Sequence, residues 1–179
     1  ERENKIITDL LSLVKMDKTS ANLNIENRNL NELIELILKR LRPIAKQRNI
    51  DVLYESAREV FAEIDEVKLT LAISNLVENA IKYNKEYGYV KVSLDADHQF
   101  ATIMVEDNGI GIPEEAQEHI FERFYRVDKS HSREIGGTGL GLAIARNAIL
   151  LHRGSIKIDS EEGQGTVFTV KIPIIYVSK

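Results

Sequence analysis

Two alternating runs stand back to back in this chain. Val90, Val92, Leu94 and Ala96 place a small or apolar side chain at every second position, and Ala101, Ile103 and Val105 repeat the pattern after a polar break at Asp97-His98. Period-two alternation is what a half-buried strand requires. Tyr89 to Asp107 is therefore expected to form a hairpin with one face on a core. The flanks read differently: Leu30, Leu33, Ile34, Ile37, Leu38 and Leu41 recur at helical spacing, and Gly139 to Leu151 does the same. Clear hairpins interspersed with helices favour a mixed sheet covered on one face by helices over a doubly wound parallel sheet. The expected class is α/β, a two-layer sandwich.

Finer expectations follow from punctuation. Asn29 with Glu32 makes a capping-box-like helix start, and Pro43 inside that helix predicts a kink or an early stop. Leu23 and Ile25 suit a short strand, as do Ile50 to Glu55 and Val60 to Ile64. Asp65 is placed to cap a helix ending between Tyr83 and Gly88. Ser155 to Asp159 and Thr166 to Pro173 read as strands around a Gly163-Gln-Gly165 turn. Ile6, Ile7, Leu10, Leu11, Leu13 and Val14 give Glu1 to Met16 a helical stripe.

With 179 residues, 43% of them apolar, one domain with an appendage is expected. The chain has no cysteine, which excludes disulfides and thiolate metal sites. Its formal charge of -4 argues against a general nucleic-acid binder, which needs a basic footprint. Locally, Arg123, Arg126, Lys129 and Arg133 face only Asp128, a balance suited to a compact anion. No stretch is apolar for long enough to span a bilayer. A first residue of Glu1 gives the expectation of a piece of something longer.

The run Asn75-Leu-Val-Glu-Asn79-Ala-Ile-Lys82-Tyr83 points to function. On a helix, residues three and four apart share a face. Two carboxamides, an ammonium and an aromatic ring then form one stripe, while Leu76, Val77, Ala80 and Ile81 face a core. Amide oxygens suit a hard cation and Lys82 suits phosphate, so a metal-bound polyphosphate fits the stripe. A solvated helix face is the plain alternative.

Gly136-Gly137-Thr138-Gly139-Leu140-Gly141 opens a helix, where backbone amides attract anions and glycine lets a phosphate approach. It is neither a dinucleotide fingerprint nor a Walker motif, since no glycine in the chain precedes a lysine. Asp107 ends a strand ahead of Gly109 and Gly111, where its carboxylate can accept from an amino group such as adenine's. An Asx-turn is the alternative there. In the last glycine turn only Thr166 offers a ligand group.

In this order, the asparagine run, Asp107-Asn-Gly109-Ile-Gly111, Phe121-Glu-Arg-Phe124-Tyr-Arg126, Gly137-Thr138-Gly139-Leu140-Gly141 and Gly163-Gln-Gly165-Thr166 resemble the ATP-binding catalytic domain of bacterial sensor histidine kinases. The wider family includes gyrase-type and heat-shock-chaperone ATPases. The resemblance covers nearly the whole chain. It implies nucleotide held between the asparagine helix and a mobile lid, roughly Ile112 to Thr138. By the same resemblance Asn79 is the Mg²⁺ ligand with Asn75 as its partner. Lys82 meets the phosphates, Tyr83 lies beside the nucleotide, and Asp107 receives the adenine amino group with support from Thr166. Arg126 reaches the terminal phosphate, and the glycines from Gly136 to Gly141 form the hinge and cradle. Phe121 and Phe124 are expected to pack the lid.

ATP-hydrolysing relatives carry glutamate where this chain has Asn75, which cannot take a proton from water. Glu78 lies about 100° round the helix from Asn79 and is poorly placed as a base. A neutral imidazole nitrogen already carries its lone pair, so phosphoryl transfer from Mg-ATP to histidine is the expected reaction. None of the four histidines sits in an acceptor motif. The acceptor is expected on a dimerising hairpin outside this chain, with residues 1–17 as the tail of its second helix and 18–179 as the catalytic domain. The resemblance also implies a response regulator receiver domain as partner, a homodimeric parent, and a cytoplasmic domain beneath an upstream membrane anchor. A serine kinase or anti-sigma factor of the same fold, and a degenerate ATP-responsive module, are the competing readings.

Overall fold

A computed structural model describes residues 23–123, 125 and 140–177. Strand β1 (Ile25–Asn29) leads directly into helix α1 (Leu30–Gln47). Strands β2 (Asp51–Ser56) and β3 (Phe61–Asp65) precede helix α2 (Glu66–Lys82). The hairpin β4 (Tyr89–Ala96) and β5 (Phe100–Asp107) follows, then a short helix α3 (Glu114–Gln117) and helix α4 (Gly141–Leu151). A second hairpin, β6 (Ser155–Glu161) and β7 (Gly165–Pro173), completes the described elements.

Five strands form one sheet in the order β2-β4-β5-β7-β6. Only β2 and β4 run parallel, so the sheet is mixed. Alternation sorts its two faces. Val90, Val92, Leu94, Ala101, Ile103, Val105, Phe168, Val170 and Ile172 are buried, while intervening residues such as Met104 and Lys171 are exposed. The buried face lies under α1, α2 and α4, whose apolar stripes complete one core. β1 and β3 pair separately as a two-stranded antiparallel sheet. The expected two-layer α/β sandwich is therefore present.

Both long helices start where side-chain chemistry predicts. Asn29 accepts from the amides of Asn31 and Glu32, and Asp65 accepts from that of Lys68. Pro43 does not stop α1, which continues to Gln47. The missing donor falls on the exposed side, and Leu41 and Ala45 keep the apolar stripe buried past it. The segment from Ile112, expected as the start of a mobile lid, begins anchored: Ile112, Ala116 and Ile120, four residues apart, are all buried. Gln117 ties this segment down by donating to the carbonyls of Ile112 and Ser160, and Phe121 packs edge-on against Phe168. The helix expected over Glu1 to Met16 and most of the remaining lid lie outside the described residues.

Candidate nucleotide site

α2 carries the asparagine run as the periodicity required. Leu76, Val77, Ala80 and Ile81 are buried beneath it. Asn75 is buried as well, at 7% exposure, whereas Asn79, Lys82 and Tyr83 are half-buried. The Asn75 Nδ2 has no hydrogen-bond partner, and neither does Asn147 Nδ2 on α4. A buried carboxamide that the protein leaves unsaturated is unusual and calls for a ligand or a cost. Gly141, the first residue of α4, stands over Asn75: a Cβ there would lie 3.4 Å from the Asn75 Oδ1. Leu140 precedes it, buried, and α4 begins without a side-chain cap. Its first-turn amides have no partners within the helix.

Asp107 closes β5 beside Thr166 of β7, its register partner. One carboxylate oxygen accepts from the Gly109 amide at 2.9 Å. Burial pushes the Asp107 carboxyl up to about 6, against the lowering effect of the Gly109 and Thr166 amides. Thr166 Oγ1 pairs with Ser160 Oγ at 2.8 Å, and Ser160 Oγ in turn accepts from the Ile112 amide. The Asx-turn and the buried, elevated carboxylate are thus one arrangement, with Asp107 capping its own loop.

The two regions are bonded to each other. The Ile110 amide donates to the Tyr83 carbonyl at 3.1 Å, so the turn after Asp107 is bonded to the exit of α2. Gly109 makes this approach possible, because a Cβ there would stand 2.3 Å from the Tyr83 oxygen. Gly111 serves a different neighbour. With φ of 71° it passes against the Glu161 carbonyl of the β6–β7 hairpin.

A family model described as histidine kinase-, DNA gyrase B-, and HSP90-like ATPase matches residues 64–175, from the end of β3 to just past β7. The chain belongs to that family. Sensor histidine kinase RppB of Synechocystis sp. is 41% identical over 98% of this chain and 39% of its own length. The chain thus spans about two fifths of that curated relative. The catalytic domain of histidine kinase ThkA matches with a TM-score of 0.77 and 31% identity, over 88% of this chain and all of that one. ThkA in complex with response regulator protein TrrA matches at 28% identity and a TM-score of 0.74, covering 96% of this chain and 49% of that one. The ATPase fold accounts for the joined helix and sheet end.

Arg126, Gly136, Gly137, Thr138 and Gly139 fall outside the described residues. Of the histidines, His152 is structural: it is buried, and Nε2 accepts from the Asp65 amide at 3.0 Å while Nδ1 faces the Ala148 carbonyl at 2.7 Å. Burial pushes its imidazole below the ordinary value. His119 lies 2.6 Å from Glu122 on the surface. Sequence reasoning missed Asn84 and Asn108. Asn84, 5% exposed, donates to the Tyr89 carbonyl, and the Asn108 Oδ1 accepts from the Tyr89 amide. Together they pin the loop after α2 to the Asp107 turn. The only hint in the sequence is that each asparagine directly follows a residue already singled out.

Proposed function

We propose that this chain binds Mg-ATP and transfers its terminal phosphoryl group to a histidine on a phosphoacceptor hairpin of the same protein, which then supplies a response regulator receiver domain. The observation that carries the reading is the Tyr83–Ile110 hydrogen bond, which joins the asparagine helix to the Asp107 turn. One ligand can then touch both. The sensor-kinase names of the relatives, and the complex of ThkA with a response regulator, support the choice of acceptor and partner.

In this reading Asp107 accepts the adenine amino group, Gly109 gives the base room, and Thr166, held by Ser160, supports the contact. Gly111 shapes the exit of the same turn. Tyr83 lies beside the nucleotide and Lys82 meets the phosphates. Leu140 and Gly141, with Gly137, Thr138 and Gly139 before them, present backbone amides to phosphate at the start of α4. Arg126 reaches the terminal phosphate.

Asn79 and Asn75 are the residues that would hold Mg²⁺. Among the described residues no group of three or more His, Cys, Asp or Glu is placed for a metal. Carboxamide oxygens are hard donors, and Mg²⁺ takes few protein ligands when phosphates supply the rest. When bound, the ion neutralises polyphosphate charge. Asn75 offers no proton acceptor, so water is not activated there. A neutral imidazole needs no such base: its nitrogen forms the new N–P bond as the bond to the ADP oxygen breaks.

Residues 18–179 are the catalytic domain in this proposal, and 1–17 the end of the hairpin helix. No helix among the described residues is long and apolar enough to cross a membrane, and the reading puts an anchor upstream in a homodimeric parent. The test is to mix this chain with a separately made acceptor hairpin and labelled ATP. Acid-labile label on the hairpin is expected. Acid-stable label would instead indicate a hydroxyl acceptor, and no label a non-catalytic module.

A further inference from the structure

Four successive carbonyls at the exit of α2, Ile81 to Asn84, all accept hydrogen bonds, three of them from one side chain. Arg48 donates from Nη1 to the Ile81 carbonyl and, at 2.7 Å, to that of Lys82; its Nη2 donates to the Asn84 carbonyl at 3.2 Å. The Tyr83 carbonyl between them takes the Ile110 amide. Helix ends leave carbonyls without intrahelical donors, and a cation at a helix C-terminus is favoured by the dipole as well. The fork geometry of a guanidinium is what allows three oxygens to be reached at once.

We infer that Arg48 is a positioning residue for the nucleotide: it holds the exit of α2 so that Asn79 and Lys82 keep a fixed distance from Asp107. The sequence puts it there through the other long helix. Arg48 is the C-cap of α1, and Asn49 then turns the chain with φ of 57° toward β2. The C-terminal ends of α1 and α2 are thus brought together. Higher up, Arg40 of α1 donates to Ser74 Oγ at 2.7 Å, one residue before Asn75, so α1 braces α2 at both the asparagines and the exit. Asn84 continues the link, since its side chain donates to the Tyr89 carbonyl at the start of β4. With the guanidinium gone, the Ile81, Lys82 and Asn84 carbonyls would lose the donor they share, and the segment bearing Lys82 could shift relative to β5.

This inference rests on the nucleotide reading and makes a more specific demand. A ligand spanning both ends should feel a change in their separation; a ligand touching one end should not. Titrations of ATP and of adenosine against the unsubstituted chain, Arg48→Ala and Arg48→Lys provide the test. Arg48→Ala is expected to weaken ATP by about three- to tenfold, the scale of losing a charged helix cap, and to leave adenosine within about twofold. Arg48→Lys, which keeps the charge without the fork, should recover part of the loss. Amide exchange at Tyr83, Asn84 and Ile110 should quicken in Arg48→Ala while the β4–β5 ladder stays protected. Should Arg48→Ala fail to fold, Arg48→Lys carries the ATP-to-adenosine comparison alone. Equal ATP affinities, or equal losses for ATP and adenosine, would overturn the role of Arg48. Failure of the unsubstituted chain to bind ATP would overturn the nucleotide reading itself.

Discussion

At the sheet end of the candidate site, the protein satisfies its own polar groups. Asp107 accepts from Gly109, Thr166 pairs with Ser160, and Asn84 and Asn108 both bond to Tyr89. At the helix end it does not: the Asn75 amide nitrogen is buried without a partner under the uncapped start of α4. A strand-held site has its backbone ladder to set geometry before any ligand arrives. Two facing helices offer side chains and helix-terminus amides, which wait for an outside group to complete them. On the proposed reading, the base end is therefore preformed and the phosphate end ligand-completed.

The sharpest way to break this contrast is to separate the two ends. Gly109→Ala would drive a methyl group to 2.3 Å from the Tyr83 oxygen and 2.7 Å from the Asn84 Cα, both backbone atoms with no rotamer to change. A loss of about 3 kcal/mol in stability is expected, with ATP binding abolished. Denaturant unfolding and nucleotide titration together would show it. A stable Gly109→Ala that still binds ATP would mean the junction is not what joins the ends.

Asp107→Asn should weaken ATP by about 1.5–3 kcal/mol, the scale of a hydrogen bond to a charged group, or roughly ten- to a hundredfold. Its effect on the empty protein has the opposite sign. A carboxyl whose pKa is raised on folding to about 6 opposes folding when ionised at neutral pH. Asn keeps the acceptor for Gly109 without the charge, so stability should increase by on the order of 2 kcal/mol and the melting temperature should rise with it. A variant that binds ATP as well as the parent would remove Asp107 from the base site.

Asn79→Ala probes the other end and should leave stability within about 1 kcal/mol, since the side chain is half-buried. Binding of ATP should lose its dependence on added Mg²⁺. Parent and variant responding alike to metal would place the ion elsewhere.

The smallest effect comes from pH. Between pH 7 and pH 5 Asp107 takes up a proton, and ATP affinity is expected to fall by up to about tenfold. The fold responds the other way at this group, because the raised pKa adds stability as pH drops through 6 and removes it as pH rises. His152 opposes that gain: its buried imidazole is depressed from 6.5, so its contribution is complete above 6.5 and is lost as pH falls. Melts of Asp107→Asn against the parent across this range would isolate the Asp107 share. Identical pH profiles for affinity in both proteins would contradict it.

Much of the fold was legible in periodicity. The β4–β5 hairpin, both long helices, their Asn29 and Asp65 caps and the final hairpin follow from local patterns of spacing two or 3.6. Pro43 brought no early stop, because whether a lost helix bond matters depends on which side meets the core. The burial of Ile112, Ala116 and Ile120 was hidden for a related reason: their spacing of four has a core to face only once the fold has closed.

Residue type and order along the chain were enough to single out Asn75, Asn79, Asp107 and Thr166, since a carboxamide stripe or a strand-ending carboxylate is visible one element at a time. What joins them was not visible. The Tyr83–Ile110 bond, the closeness that makes Gly109 necessary and the grip of Arg48 on three carbonyls all involve backbone atoms, which every residue possesses and no composition reveals. Their pairing depends on distances across the fold, and those exist only after α1, α2 and the sheet have packed around one core.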